Sequence, residues 1–180
     1  MYRRMHVLVE GRDDREFFDA VIKPILEERY DHVQIWEYAG KTLEKRRKYV
    51  TSIRAMEADY LFMADINSSP CVTQKKNDLV ERHNGAIDAN NVIIVVKEIE
   101  SWYLAGLGDE QAQEIGVRSD PDTNDITKEL FRHAMPKQFE HSVVDFMAEI
   151  LNRFDLDTAK SKNRSFCYLM NLLEARLRKA

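Results

Sequence analysis

The sequence predicts an α/β fold, with a parallel sheet flanked by helices and a helical extension following it. Three observations carry this. Four short apolar runs, at residues 5–9, 33–38, 60–64 and 92–96, have the length and the β-branched or aromatic content of strands. The segments between them are long enough for the crossovers that parallel pairing needs, and they carry helical periodicity. Beyond residue 108 the pattern loses its strands altogether.

Residues 5–9 form an apolar run that stops at Glu10-Gly11, as a buried strand ending in a tight turn would. Phe17, Phe18, Val21, Ile22, Ile25 and Leu26 then recur at helical spacing, with Asp13 and Asp14 where a helix start favours carboxylates. Residues 33–38 alternate Val33 and Ile35 against polar neighbours and form the second strand. Residues 41–56 make a charged helix whose inner face is Leu43, Val50 and Ile53. YLFMA at residues 60–64 is a third strand, cut off at Asp65. Asn67-Ser68-Ser69-Pro70 is a loop by its turn residues, and a polar helix follows near residues 74–83. VIIVV at residues 92–96 is the clearest buried strand and leads into KEIESWYLAG. The helices expected after it span residues 126–135, 138–154 and 165–177, punctuated by Asp120-Pro121, Pro136 and a non-helical stretch at residues 155–163. The expected organisation is an α/β domain at residues 1–108 and a helical extension at residues 109–180.

Composition bounds the function. The 180 residues are 44% hydrophobic and 32% charged, an ordinary globular balance. No apolar run reaches the roughly 20 residues that span a bilayer, so no membrane role is expected. The apolar stretch before Glu10 is too short for a signal-peptide core, and Cys71 and Cys167 have neither metal-site spacing nor company, so the expected home is the reducing cytoplasm. A net charge of −4 argues against a general polyanion-binding surface while leaving room for local basic patches.

The chemistry-bearing residues sit at strand ends, where open parallel sheets bind their ligands. The first strand delivers Glu10, with Asp14 four residues on. The third delivers Asp65, with Asn67 two residues on. The fourth delivers Glu98 and Glu100, just behind Lys97. Carboxylates gathered at one edge repel one another and coexist ionised with a cation among them; hard oxygen donors suit Mg²⁺ or Mn²⁺. Gly11 is expected to allow a sharp turn and a close approach of backbone to ligand. Each acid has a plainer reading as a turn residue or helix cap, strongest for Asp14.

VLVEGRDDREFF, YLFMADIN and VIIVVKEIESWYLA together resemble, in order, the motifs of TOPRIM domains, the Rossmann-like modules of topoisomerases, primases and OLD-type (overcoming-lysogenization-defect-like) nucleases. Glu10-Gly11 matches the first motif, and Asp65-Ile66-Asn67 stands where the family has Asp-x-Asp. Asp14 and Glu98-Ile99-Glu100 resemble the further acids of the OLD-like branch. ESWYLA resembles small stand-alone TOPRIM-like proteins. The resemblance implies Mg²⁺ or Mn²⁺ ligated by Glu10 and Asp65, with Asp14, Asn67, Glu98 and Glu100 as ligands or their partners. It implies nuclease-like work on nucleic-acid phosphodiesters, in phage defence or repair, with Glu10, Asp65 and Glu100 catalytic and Lys97 neutralising charge on the phosphate. Asn67 departs from the pattern: it offers a neutral oxygen and removes one negative charge. That departure favours the alternative, a catalytically inactive module binding nucleic acid or a protein.

Two basic groups complete the reading. Lys41, Lys45, Arg46, Arg47, Lys48 and Arg54 crowd one helix and offer a phosphate-backbone hold beside the acidic site, but Glu44 and Glu57 share that helix and a solvated face is the stronger reading. Lys160, Lys162, Arg164, Arg176, Arg178 and Lys179 lie near the C-terminus, where SKNRSF reads as a loop before a helix. Lys162, Arg164 and Ser165 are its expected phosphate-gripping residues, beside Gly11 at the acidic edge. The helical extension offers a docking face for a second copy or a partner protein. Trp36, Trp102 and Tyr103 are expected in the core or an interface. No P-loop is present, so ATP hydrolysis of that kind is not expected. A phospho-accepting receiver, with Asp13, Asp14, Asp65 and Lys97, is disfavoured because the interval from Asp65 to Lys97 has no room for its missing strand.

Overall fold

A computed structural model describes residues 2–179, with side chains through residue 176. The chain divides into two compact units, residues 1–94 and 95–180.

The first unit is built on a four-stranded sheet of order β2-β1-β3-β4, with β1 Arg4–Val9, β2 His32–Glu37, β3 Asp59–Asp65 and β4 Val92–Val95. β1 runs parallel to both its neighbours, pairing Val7 with Ile35 on one side and with Leu61 on the other. The step from β1 to β2 goes one way along the sheet, and the steps to β3 and β4 go the other. With right-handed crossovers, the connecting helices therefore cover opposite faces. Alternation within the strands fits this. Leu8, Tyr60, Phe62, Ala64, Val92 and Ile94 pack with Val50 and Ile53 of α3 (Leu43–Ala55) and Leu79 of α4 (Val72–Arg82). The residues of opposite parity, Met5, Val7, Val9, Leu61 and Met63, are also buried, as are Phe17, Phe18, Ile22 and Leu26 of the first crossover.

That first crossover is a single helix by periodicity, but it divides into α1 (Arg12–Phe17), a π-helical turn (Phe18–Ile22) and α2 (Lys23–Glu27). Pro24 is the physical reason. It lacks an amide hydrogen and its ring crowds the carbonyl four residues back, so the turn before it widens.

The second unit is helical: α5 Glu100–Ala105, α6 Asp109–Glu114, α7 Lys128–Ala134, α8 Val143–Leu151, α9 Leu156–Lys162 and α10 Arg164–Lys179. α5 packs against α7, α8 and α9. Trp102, Tyr103, Phe131, Phe146 and Phe166 are fully buried and make edge-on or tilted ring contacts, including Trp102 with Phe166 at 5.4 Å and Phe131 with Phe146 at 5.0 Å. The core expectation for Trp102 and Tyr103 holds, and Trp36 lies half-buried, stacked on Tyr49 at 4.1 Å.

Residues 155–163, expected to be non-helical, are mostly α9. Asp155 caps it, accepting from the Thr158 amide at 2.7 Å. SKNRSF is accordingly not a loop: Ser161 and Lys162 end α9, Asn163 is the pivot, and Arg164 opens α10.

Candidate functional site at the carboxyl edge of the sheet

In a doubly wound sheet the ligand crevice lies at the carboxyl ends of the two strands where winding reverses. Here those strands are β1 and β3, and the residues at their ends are Glu10 and Asp65. Glu10, Gly11, Asp14 and Asp65 are all half-buried.

Tyr38 organises this place. Just past β2, its amide donates to Val9 O at 2.9 Å, and the Ala39 amide donates to Glu10 O at 2.8 Å. The end of β2 thus stays fastened to the end of β1. The Tyr38 hydroxyl then donates to Met63 O at 2.7 Å. Because β1 lies between β2 and β3, the tyrosine crosses the reversal point, two residues short of Asp65. Its ring stacks on Phe62 at 4.9 Å, and the Arg46 guanidinium lies over the ring at 4.7 Å. Burial pushes the Tyr38 phenol well above its ordinary range, and the charges of Glu10, Asp14 and Asp65 push it further, with Arg46 opposing. Three carboxylates from separate backbone positions therefore act on one buried side chain.

Asp14 also serves the fold. It is the third residue of α1, and its carboxylate accepts from the Gly11 amide at 3.1 Å. Gly11 itself is extended, at φ −142°, which any residue adopts. The expected sharp turn is absent, so conformational freedom does not explain this glycine; an added Cβ would meet nothing nearer than Asp14 Oδ2, at 3.8 Å.

Asn67 and Lys97 share an unusual backbone. Both are left-handed, at φ 50° and 68°. The other non-glycine cases, Glu57 and Asn84, lie just past the ends of α3 and α4, where helices close in that conformation. Asn67 and Lys97 instead follow strands β3 and β4 by two residues. Asparagine accepts this conformation readily; lysine is strained there, a condition that clusters at functional sites. The Asn67 amide donates to Asp65 O at 3.4 Å.

In the second unit the expected site residues have protein partners. Glu98 accepts from the Lys128 backbone amide at the first turn of α7. Glu100, 2% exposed, faces Lys128 Nζ at 3.1 Å. Lys97 Nζ lies 3.9 Å from Asp125. Lys162 Nζ donates to Leu107 O at 2.6 Å and to Ser119 Oγ at 2.8 Å, and burial lowers its pKa. Ser165 Oγ accepts from Trp102 Nε1 and donates to Asn163 Oδ1, each at 2.8 Å. Lys162 and Ser165 thus tie the helices together. Arg164 is exposed, its amide bonded to Asn124 Oδ1 at 2.9 Å. Arg178 and Lys179 lie outside the residues whose side chains are described.

Among the described residues, no three His, Cys, Asp or Glu side chains stand close enough to cage a metal as they are. The side chains at the β1–β3 edge, Glu10, Asp14 and Asp65, are nonetheless carboxylates, the hard oxygen donors that Mg²⁺ or Mn²⁺ takes. Sequence reasoning missed Tyr38 and Lys128, and named Arg46 only within a basic group whose stronger reading is a solvated face. Tyr38 closes the one sequence-read strand, residues 33–38, that no acid follows, so a search for strand-end acids passes over it. Arg46 lies hidden in a charged run, and Lys128 follows a helix-capping Thr127.

No protein-family model and no curated protein matches this chain. Among solved structures, the C-terminal region of the Xanthomonas campestris pv. campestris OLD protein is similar, with 17% identity over 99% of this chain and 96% of that one, at a TM-score of 0.46. At that identity and score the similarity assigns this chain neither a family nor residue roles.

Proposed function

We propose that the carboxyl edge of β1 and β3 binds a divalent cation, Mg²⁺ or Mn²⁺, and acts on nucleic-acid phosphodiesters as a TOPRIM-like, nuclease-type site. The observation that carries this is the placement of Glu10 and Asp65 at the ends of the strand pair where winding reverses, with Tyr38 tied from the end of β2 across to Met63 O of β3. Glu10 and Asp65 would hold the cation, with Asp14 alongside; Asn67 would add a neutral oxygen if its amide turned from the Asp65 carbonyl. When bound, such a cation polarises a phosphodiester and stabilises its leaving oxygen. The residues supply position. Tyr38 links the end of β2 to Met63 O of β3, with its ring stacked on Phe62. Glu98 and Glu100 are engaged with Lys128 of α7 within the second unit.

Asn67 favours a second reading, a module that binds nucleic acid or a protein without cutting. Its amide is bonded to backbone, and it brings no charge to the edge. One experiment separates the two. Labelled single- and double-stranded DNA and RNA are incubated with the protein and Mg²⁺, Mn²⁺ or chelator. Metal-dependent cleavage, lost in Glu10→Gln and Asp65→Asn, is the expected result. Intact substrates throughout, with no calorimetric heat of Mn²⁺ binding, would sink the nuclease reading.

A further inference from the structure

The turn after β2 brings more than Tyr38 to the carboxyl edge. The Lys41 amide closes on Tyr38 O at 3.0 Å through Gly40, whose φ is +70°. Thr42 then caps α3, accepting from the Lys45 amide at 3.3 Å. One turn into the helix, Arg46 folds back over the tyrosine. Its Nε donates to Lys41 O at 3.0 Å, which orients the guanidinium and leaves both terminal nitrogens with donors to spend. Glu44, the acid nearest in this helix, is paired with Lys48 at 2.7 Å, not with Arg46. Arg46 is half-buried, unlike its exposed neighbours Lys41 and Lys45. A planar, oriented cation stacked on an aromatic ring beside carboxylates is pre-organised for a phosphate oxygen, and less entropy is lost when it binds.

We propose that Arg46, held over the Tyr38 ring, is a phosphate-binding residue of this edge, taking a non-bridging oxygen of a nucleic-acid backbone phosphate adjoining the Glu10–Asp65 carboxylates. This rests on the reading of the edge as a phosphodiester site. The carboxylates alone would repel the backbone; a cation among them and Arg46 beside them together make the edge attractive to phosphate. The opening of α3 thereby becomes part of the site, and Arg46 is singled out from a basic helix whose charge pattern alone favours a solvated face.

The test is fluorescence anisotropy with a fluorescein-labelled DNA hairpin carrying a single-stranded tail, and with an RNA of the same sequence. Both are measured in Ca²⁺ at several salt concentrations, while a gel shows the probe intact. Whichever probe the unaltered protein binds, Arg46→Gln is expected to weaken binding about ten-fold and to lower the slope of log affinity against log salt by about one. Arg46→Lys is expected to recover part of the loss, and Lys45→Gln to change affinity less than about two-fold, since an exposed lysine contributes only diffuse charge. Thermal melts of each variant check folding. An Arg46→Gln affinity within two-fold of the unaltered protein overturns the proposal, and so does an equal loss in Lys45→Gln. If the unaltered protein binds neither probe, the phosphodiester reading falls and the Arg46 role falls with it.

Discussion

At the residue scale, the Tyr38 phenol is buried at the strand ends and feels the charges of Glu10, Asp14 and Asp65. The Tyr38 hydroxyl has its partner in Met63 O, so the ring is a fixed strut between strand ends. Tyr38→Phe keeps the ring and removes the donor, leaving a buried carbonyl short of a hydrogen bond. Its expected cost is about 1–2 kcal/mol of unfolding free energy, read as a lower urea midpoint at unchanged slope. Asn67→Asp tests the cation proposal from the opposite side. It restores a fourth carboxylate at the edge, so calorimetric Mn²⁺ affinity is expected to rise, on the order of ten-fold, because ligand charge sets affinity in oxygen sites. Without a cation the added charge has only repulsion to offer, and the same variant is expected to melt lower in chelator. Unchanged Mn²⁺ affinity would remove residue 67 from the site. Gly11 separates conformation from access. Its extended backbone suits alanine, so Gly11→Ala is expected to leave stability level or raise it by up to about 1 kcal/mol. A fall in cleavage with stability intact would then locate substrate against this segment.

At the element scale, the second unit hangs on one pivot between α9 and α10. Asn163 is 1% exposed; its Nδ2 reaches Ser101 Oγ and Thr123 Oγ1, and its Oδ1 accepts from Ser165 Oγ and the Phe166 amide. Asn163→Ala strands several buried polar groups and is expected to cost about 2–4 kcal/mol. Asp155→Ala removes only the cap of α9 and is expected to cost about 1 kcal/mol. Urea denaturation ranks the two, and a smaller loss for Asn163→Ala would mean that water replaces its side chain. These elements also show what the sequence could reveal. The four strands were legible because each is a short apolar run with an abrupt end, and Glu10 and Asp65 were legible because those ends are acidic. α9 was not, because its apolar residues are only Leu156 and Ala159 and its signal is a cap, Asp155 to Thr158, rather than a period. The π turn needed Pro24 to be weighed against a strong helical pattern. Tyr38 escaped for another reason: its place depends on strand order, which puts β2 beside β1 and lets one side chain span to β3. Local spacing holds no record of that order.

At the scale of the whole molecule, pH decides how much stability remains. His6 and His83 are both buried, at 7% and 0% exposure. His6 Nδ1 meets the Tyr49 hydroxyl at 3.1 Å, and His83 Nδ1 lies 2.8 Å from Leu79 O. Burial lowers both from their ordinary 6.5; His32 and Arg4 add to this at His6, and Arg46, Arg47 and Arg82 at His83, against the raising effect of the Leu79 carbonyl. Below 6.5 the unfolded chain takes up protons that the folded chain refuses, so stability rises with pH through that window. It is fully present above 6.5 and lost as pH falls through the lower folded values. Asp122 and Asp155 act in the same direction further down, below their ordinary 3.8, because hydrogen bonds from Asn124 and Thr158 hold them ionised. Acid unfolding is therefore expected in two stages, the first carried by imidazoles in the sheet unit. Urea midpoints at pH 7.5 and pH 5.5 measure that first stage. A His6→Gln, His83→Gln pair is expected to lower the midpoint at pH 7.5 and to flatten the difference between the two pH values. The comparison is of slopes, so a general loss of packing does not imitate the result. An undiminished pH difference in the pair would assign the first stage to groups other than these two histidines.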